Sequence, residues 1–197
     1  MKATGIIRKI DDLGRVVIPK ELRNTLRLRV GDPVEIFTDR GGQVIFHKYS
    51  PMGELRTTAD LIGKTLHDSI RRSVVICDRD CILSAHGKHG TEIANADITR
   101  NYVEAVSGQS VYRFVGGNGI YLVAGNPDTA VLVSVPIMVA GDVMGYVVCV
   151  SDNIAYENVE KPINDADIGL MKLVADFLGK QMEPWDNTWK ITPFPRQ

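Results

Sequence analysis

The sequence contains few cysteines and no long hydrophobic run, and these absences narrow the class of protein. Three cysteines among 197 residues are an odd number without the spacing of a disulfide framework, which argues against a small secreted protein. No segment approaches the roughly eighteen consecutive apolar residues of a membrane-spanning helix. The opening Met-Lys-Ala-Thr-Gly leads into patterned sequence without the apolar core of a secretion signal, so we expect a cytoplasmic protein.

Motifs typical of enzymes are also missing. The sequence has no glycine-rich phosphate loop with its Lys-Ser/Thr, no Gly-x-Ser-x-Gly elbow and no His-Glu-x-x-His pair. We therefore predict that the protein is not an enzyme, has no catalytic residues and needs no cofactor. A zinc or redox site built from His86 and His89 with Cys81, or from Cys77 and Cys149, is a less favoured alternative, because cysteines in apolar strands are usually small buried hydrophobes.

The charge is distributed unevenly along the chain. Residues 1–50, called the head below, carry ten Lys or Arg against six Asp or Glu, whereas residues 51–197, called the body, carry thirteen against eighteen. A basic head on an acidic body indicates a polyanionic partner for the head.

The head has the pattern of short strands separated by turns. Asp-Asp-Leu-Gly at 11–14 and Asp-Arg-Gly-Gly at 39–42 predict two hairpin connections. Between them, Pro19 predicts a helix start, with the helix ending at Gly31 or at Asp32-Pro33. The predicted strands cover residues 3–10, 15–18, 33–38 and 43–48. Fifty residues of this kind bury too little apolar surface to fold alone, so we expect an obligate dimer.

Residues 2–23 resemble the AbrB/MazE swapped-hairpin family, most clearly in Gly-Arg-Val-Val-Ile-Pro at 14–19. The resemblance covers residues 1 to about 50 and implies a swapped-hairpin β-barrel dimer that binds double-stranded DNA. By the same resemblance the DNA-binding residues are Arg8, Lys9, Arg15 and Arg23. Asn24 stands where the family usually has a second arginine, which implies weaker or altered DNA binding.

The body begins with an apolar seam and continues as a mixed domain. Met52, Leu55, Ala59, Ile62 and Leu66 follow steps of three and four residues, typical of a helix that packs on its own domain or pairs with a second copy. Strands are predicted at 73–78, 81–86, 110–115, 119–124, 130–139 and 143–151, with a helix near 97–107.

The last predicted helix has two apolar faces. Asn164 is a plausible N-cap with Asp167 three residues later. One face carries Ile168, Met171, Ala175, Leu178 and Met182, and the other Leu170, Val174 and Phe177. A helix that is apolar on two sides indicates burial by a partner subunit as well as by its own sheet.

The hairpin from Val135 to Val148 is similar to GAF-type sensor domains. The prediction is an α+β two-domain protein: an AbrB-like DNA-binding domain at 1–50, a helical connector at 51–72, a GAF-like α/β/α domain at 73–183 and a tail at 184–197. This layout resembles a family of late-sporulation transcription factors in spore-forming Firmicutes. It implies a homodimer through the head, a homotetramer through the helices, no membrane partner and a nucleoid location in the forespore.

Two questions about function stay open from the residues alone. A small-molecule effector beneath residues 84–97 competes with a body that only oligomerises. For the whole chain, the competing class is the antitoxin of a toxin–antitoxin pair, whose C-terminal extension is usually short; the long patterned body argues against it.

Overall fold

The computed structural model describes residues 5–88, 90–116, 119–151 and 163–186. The chain divides into two compact units, Met1–Tyr49 and Ser50–Gln197. The predicted tail at 184–197 lies outside the described residues except for the backbone of 184–186, which ends the last helix. Within the described residues, no helix combines the length and the apolar character needed to cross a membrane.

The head contains one short helix and two hairpin turns, of which only the second joins paired strands within the described residues. Helix α1 spans Lys20–Thr25 and strands β1 and β2 span Val34–Thr38 and Val44–Lys48, paired antiparallel from Val34–Lys48 to Thr38–Val44. The connecting turn is closed by the Asp39 carboxylate, whose Oδ1 accepts hydrogen bonds from the amides of Gly41 and Gln43 at 2.9 Å. This confirms the second pair of predicted strands and their turn chemistry.

Three predictions for the head are wrong for the single chain. Residues 5–10 and 15–18 are not in strands, and only the turn between them is closed, by bonds from Asp11 N to Arg15 O (3.0 Å) and from Gly14 N to Asp11 O (2.9 Å). A strand needs a neighbouring strand to bond with, and one copy of the head supplies none here. Helix α1 ends at Thr25, before the predicted Gly31, because Arg27 already takes a left-handed conformation (φ 53°).

The body is a three-layer α/β/α arrangement around an antiparallel five-stranded sheet. Strands β3 (Ser73–Asp78), β4 (Ile82–His86), β5 (Tyr112–Arg113), β6 (Val131–Val139) and β7 (Asp142–Val150) are ordered β4-β3-β7-β6-β5. The helices are α2 (Pro51–Glu54), α3 (Arg56–Ile70), α4 (Gly90–Ile93), α5 (Arg100–Val106) and α6 (Asp165–Asp186). A 3₁₀ turn lies at Pro127–Thr129. Every residue of β3 is buried, as expected for a strand covered on both faces.

Alternate residues of the strands fill two separate cores. Val74 and Ile76 of β3 pack with α2, α3 and α6, whereas Val75 and Cys77 pack on the other face with α4 and α5. The period of two therefore assigns each strand residue to one layer of helices. The predicted α/β/α layering of the body is present in the described residues.

The predicted strands at 110–115 and 119–124 are largely absent. The first is reduced to Tyr112–Arg113, and the second forms only isolated bridges, Ile98 with Val123 and Tyr121 with Ala130. The Thr129 hydroxyl accepts a hydrogen bond from the Val123 amide at 3.1 Å, so a side-chain turn replaces ladder bonding here.

The helices that flank the sheet pack on the body itself. The predicted seam is divided at Leu55, which ends α2 and precedes α3, and Met52, Ala59 and Leu66 are buried against the sheet of the body. The structure thus shows the own-domain alternative for this seam. At the start of α6, the Asn164 side chain accepts a hydrogen bond from the Asp167 amide at 2.7 Å, as predicted. The face of α6 from Ile168 to Met182 is buried.

Candidate nucleic-acid interface

Three of the four predicted DNA-binding residues lie on the hairpin at 8–15. Arg8 and Lys9 precede the turn and Arg15 follows it, and all three are exposed. The Arg8 guanidinium donates to the neighbouring Ile7 carbonyl at 3.0 Å, a local bond that leaves the side chain at the surface. The hairpin therefore presents its positive charges to solvent, where a phosphate backbone can reach them.

Arg15 is held by a carboxylate across the turn. Its Nε donates to Asp11 Oδ2 at 2.8 Å, and its backbone amide donates to Asp11 Oδ1 at 2.8 Å. These bonds from the Arg15 amide and side chain, together with one from the Leu13 amide, lower the pKa of Asp11 despite its exposure. Asp11 is thus a turn former, as the sequence indicated, and it also binds the Arg15 side chain, which the sequence analysis missed. The sequence signal for that bond is an Asp four residues before an Arg. Asp12, only three residues before Arg15, gives no such signal.

Arg23 lies apart from the hairpin, on α1. It is half-buried, and its Nε is buried without a hydrogen-bond partner in the part of the chain that the structure describes. A buried, unpaired N–H group is costly, and a phosphate or a second protein copy is the kind of group that satisfies it. Asn24, next to it, is exposed and contributes its carbonyl to the amide of Arg27 at 3.2 Å.

One cation of the head is structural. The Lys48 ammonium donates to the Arg27 carbonyl at 2.8 Å and pairs with the Asp32 carboxylate at 3.1 Å. The side chains of Lys48 and Asp32 are 20% and 2% exposed, so this pair is largely withdrawn from solvent. Lys48 therefore holds β2 to the segment after α1 and does not add to the exposed positive surface.

The structure separates the two cysteines of the alternative redox pair. Cys77 and Cys149 belong to opposite faces of the sheet, since each packs in a different core. Burial raises the pKa of the Cys77 thiol well above its ordinary value, and burial with the nearby Asp78 carboxylate raises that of Cys81 to about 11. Among the described residues no group of three or more His, Cys, Asp or Glu side chains could hold a metal ion; His89 lies outside them.

His86 takes part in a polar cluster that lacks the geometry of a catalytic triad. Its Nε2 lies 3.0 Å from Ser84 Oγ and 3.1 Å from Asp60 Oδ1. A triad uses the two ring nitrogens for the two partners, whereas here both partners share one nitrogen. The cluster instead joins β4 to α3, because the same nitrogen also lies 3.0 Å from the Asp60 carbonyl.

Comparison with known proteins finds a matching family model for each of the two parts of the chain. Residues 54–183 match the family model for the C-terminal part of stage V sporulation protein T, described as a transcription factor. Residues 7–49 match the model for MazE antidote-toxin recognition, a bacterial antitoxin family. Only the head matches the antitoxin model, so the antitoxin alternative for the whole chain is not favoured.

Relatives in Bacillus subtilis extend these matches. Stage V sporulation protein T is 41% identical over 184 residues, which are 93% of this chain and 99% of that protein. The transition state regulatory protein AbrB is 44% identical over 71 residues, 36% of this chain and 69% of that protein.

Solved structures match each part separately. The N-terminal DNA recognition domain of Bacillus subtilis AbrB is 55% identical and covers 26% of this chain and 94% of that chain, with a TM-score of 0.23 that is too low to support a structural argument. Residues 122 to 287 of a methyl-accepting chemotaxis protein, 18% identical, cover 71% of this chain and 94% of that chain with a TM-score of 0.54, a likeness of fold alone. Because the family model covers most of the body and the sporulation protein matches nearly the whole chain, this protein belongs to the stage V sporulation protein T family of transcription factors.

Proposed function

We propose that two copies of the head exchange hairpins to form an AbrB-type β-barrel that binds double-stranded DNA through Arg8, Lys9, Arg15 and Arg23. The protein then acts in the cytoplasm, at the nucleoid, as a regulator of sporulation genes, and the forespore is the expected compartment. The family membership supports transcription regulation, and the comparison with AbrB supports DNA as the partner.

The observation that carries this proposal is the exposed apolar surface of the single head. Pro19 is the only buried residue among the described residues 5–49. Ile7, Leu13, Val17 and Val30 are 87%, 73%, 70% and 93% exposed. Isolated apolar side chains on a surface are normal, but a unit of this size with almost no core needs a second copy to bury them.

Hairpin exchange would also supply strand partners for residues 5–10 and 15–18. Those residues are rich in Ile and Val and follow the strand pattern, yet they form no ladder in the single chain. A partner's hairpin provides the missing edge, and the two copies then present two sets of Arg8, Lys9 and Arg15. Duplication of the basic residues by a twofold axis matches the two half-sites of a palindromic operator.

The test is DNA affinity in variants of the full chain. A labelled duplex selected from a random pool by the wild-type protein is titrated at several salt concentrations, and affinity should fall steeply with salt. Arg8→Ala and Arg15→Ala should each weaken binding tenfold or more, roughly 1.4 kcal/mol. Arg40→Ala is the matched control, because Arg40 is an exposed cation on the other hairpin of the head. Equal effects in all three variants would show that only net charge matters and would contradict the proposed site.

For the body we propose a GAF-like domain that assembles head dimers into a tetramer through its helices. Leu170, Leu173 and Phe177 of α6 are 39%, 65% and 39% exposed, and Leu61 of α3 is 70% exposed. These side chains follow helical spacing on α6 and leave an apolar strip on a helix whose other face is fully buried. Leu173→Glu should convert a tetramer into dimers in light scattering, with the melting temperature of the body little changed.

The described part of the body favours assembly over effector sensing. Segment 84–97 contributes Ala85, His86, Gly90 and Ile93 to the wall of a pocket with a cavity volume of about 10 Å³. Ligand sites usually occupy about 300–1,000 Å³, so this pocket is small for a metabolite. A metabolite panel that raises the melting temperature of the full chain in a concentration-dependent way would reverse this assignment.

A further inference from the structure

We propose that Asp11 is a positioning residue for DNA binding, which holds the Arg15 guanidinium in the orientation that contacts the duplex. The inference rests on the proposed function, since it takes Arg15 as a DNA contact. It assigns to an acidic side chain a role in binding a polyanion, which is the opposite of what its charge alone predicts.

The turn gives Asp11 two separate tasks, one for each oxygen. Oδ1 accepts hydrogen bonds from the amides of Leu13 at 3.0 Å and Arg15 at 2.8 Å, and these bonds shape the turn. Oδ2 accepts the Nε–H of Arg15 at 2.8 Å and binds only the side chain. The backbone bond from Asp11 N to Arg15 O, 3.0 Å, closes the same turn, so the carboxylate and the guanidinium belong to one hydrogen-bonded loop.

The bond at Nε leaves the two terminal nitrogens of the Arg15 guanidinium available for a DNA contact. No hydrogen bond occupies the two terminal nitrogens of Arg15 within the described residues, and the side chain is 70% exposed. The fork made by those nitrogens is the part that binds a phosphate, or the O6 and N7 atoms of guanine, through two parallel bonds. Fixing Nε removes rotamers that a free arginine would lose on binding, so the contact forms at a lower entropic cost.

Charge alone predicts the reverse effect, which makes the inference testable by its sign. An anion beside the duplex repels the phosphates, so removal of a carboxylate should strengthen binding if the residue has no other role. The pKa of Asp11 is lowered by its hydrogen bonds, so this residue is anionic at neutral pH. A loss of affinity when its charge is removed therefore needs an explanation through Arg15.

Asp11→Asn separates the two oxygens. The asparagine Oδ1 can still accept the two turn amides, and Asn is well tolerated in turns, but its side-chain NH₂ cannot accept the Arg15 Nε–H. Asp12→Asn is the matched control, because Asp12 is exposed on the same turn and its side chain makes no hydrogen bond or ion pair within the described residues. Both variants remove one negative charge.

The experiment is a double-mutant cycle in the full chain, with the selected duplex as the probe. We expect Asp11→Asn to weaken binding roughly threefold to tenfold, while Asp12→Asn binds as tightly as wild type or slightly more tightly. In the Arg15→Ala background, Asp11→Asn should cause no further loss, because there is no guanidinium left to position. The melting temperature and the oligomeric state are measured for every variant.

Three results would overturn the inference. The first is that Asp11→Asn strengthens binding as Asp12→Asn does. The second is that Asp11→Asn weakens binding equally with and without Arg15. If Asp11→Asn fails to fold, Arg15→Lys is measured in its place. This variant should lose about as much affinity as Arg15→Ala, because a lysine ammonium has neither an Nε–H nor a fork of two terminal nitrogens. The third overturning result is that Arg15→Lys keeps wild-type affinity. If Arg15→Ala itself binds normally, the proposed DNA site has failed, a result distinct from failure of the positioning role.

Discussion

The head and the body of this protein bury their apolar side chains in different ways. In the body, all six residues of β3 are buried. Neighbouring residues of this strand pack in different cores, one under α3 and α6 and the other under α4 and α5. In the head, Val16 and Val17 are 46% and 70% exposed although they follow an equally clear strand pattern. The body thus has its own core, whereas the head has a pattern that a single chain leaves incomplete. The difference shows that a hydrophobic pattern in the sequence is not enough to bury its side chains within one chain.

The largest expected effect tests the core of the body. Leu178 is fully buried on α6 and Leu173 is 65% exposed on the same helix. Leu178→Ala should lower the free energy of unfolding by about 2–5 kcal/mol through lost burial and a cavity. Leu173→Ala should change it by about 0.5 kcal/mol or less in dilute protein. Denaturant titration at a low, fixed concentration measures both, and similar values for the two variants would contradict the assignment of the faces of α6.

The next prediction compares two exposed valines, one in each region. Val17 in the head is 70% exposed in the single chain, and Val115 in the body is 94% exposed. If hairpin exchange buries Val17, Val17→Asp places a charge in an apolar interface and should weaken DNA binding by at least about a hundredfold, roughly 2.7 kcal/mol. Val115→Asp should leave DNA binding unchanged. Analytical ultracentrifugation should show dissociation of the head contacts in the first variant alone; an intact assembly would show that Val17 is a surface residue.

Two glycines on α6 give a smaller effect with opposite signs. A Cβ at Gly179 would meet the Met138 carbonyl of β6 at 2.5 Å, whereas a Cβ at Gly169 would meet no atom within 4 Å. Alanine normally improves a helix by about 1 kcal/mol relative to glycine, which should stabilise Gly169→Ala. At Gly179 the clash with backbone outweighs that gain, and a net loss of about 1–2 kcal/mol is expected. Thermal unfolding measures both, and a loss at Gly169 would reveal a partner chain in contact with that position.

The smallest effect concerns the half-buried thiol of Cys81. Its pKa is raised to about 11 from an ordinary 9.0, first by burial and then by Asp78. The folded state holds this proton more tightly than the unfolded state, so the stabilisation is complete below about pH 9 and is lost as pH rises toward 11. At pH 8 the thiolate fraction is roughly a hundredfold below that of an unperturbed thiol. Alkylation of Cys81, followed by peptide mass spectrometry, should be correspondingly slow in the folded chain, and a rate equal to that of the denatured chain would disprove the shift.

Much of the body could be predicted from local pattern because its elements are long or well capped. Short apolar runs rich in Val predicted β3, β6 and β7, and Asn164 with Asp167 predicted the start of α6. The strand predicted at 119–124 was wrong because the Thr129 and Asn126 side chains bond to nearby backbone in place of a ladder. Such competition depends on a few hydroxyl and amide groups, which a hydrophobic pattern does not register.

The candidate site could be predicted only as a set of residues. A resemblance in residues 2–23 selected Arg8, Lys9, Arg15 and Arg23, but it did not separate the exposed hairpin cations from the half-buried Arg23. It also did not reveal that Lys48 is neutralised by Asp32, because these residues meet only after the chain folds back. Contacts between residues distant in sequence are set by packing, not by local preference.

By itself the sequence determined the family, the basic head and the acidic body, and the apolar runs that become the central strands, since charge and hydrophobicity are properties of the local order of residues. Only the tertiary structure decided that the seam from Met52 to Leu66 packs on its own sheet, that Cys77 and Cys149 face different cores, and that the Asp11 carboxylate holds Arg15. In each case the outcome depended on which face of a strand or helix the side chain occupies and on which neighbouring residue it contacts there.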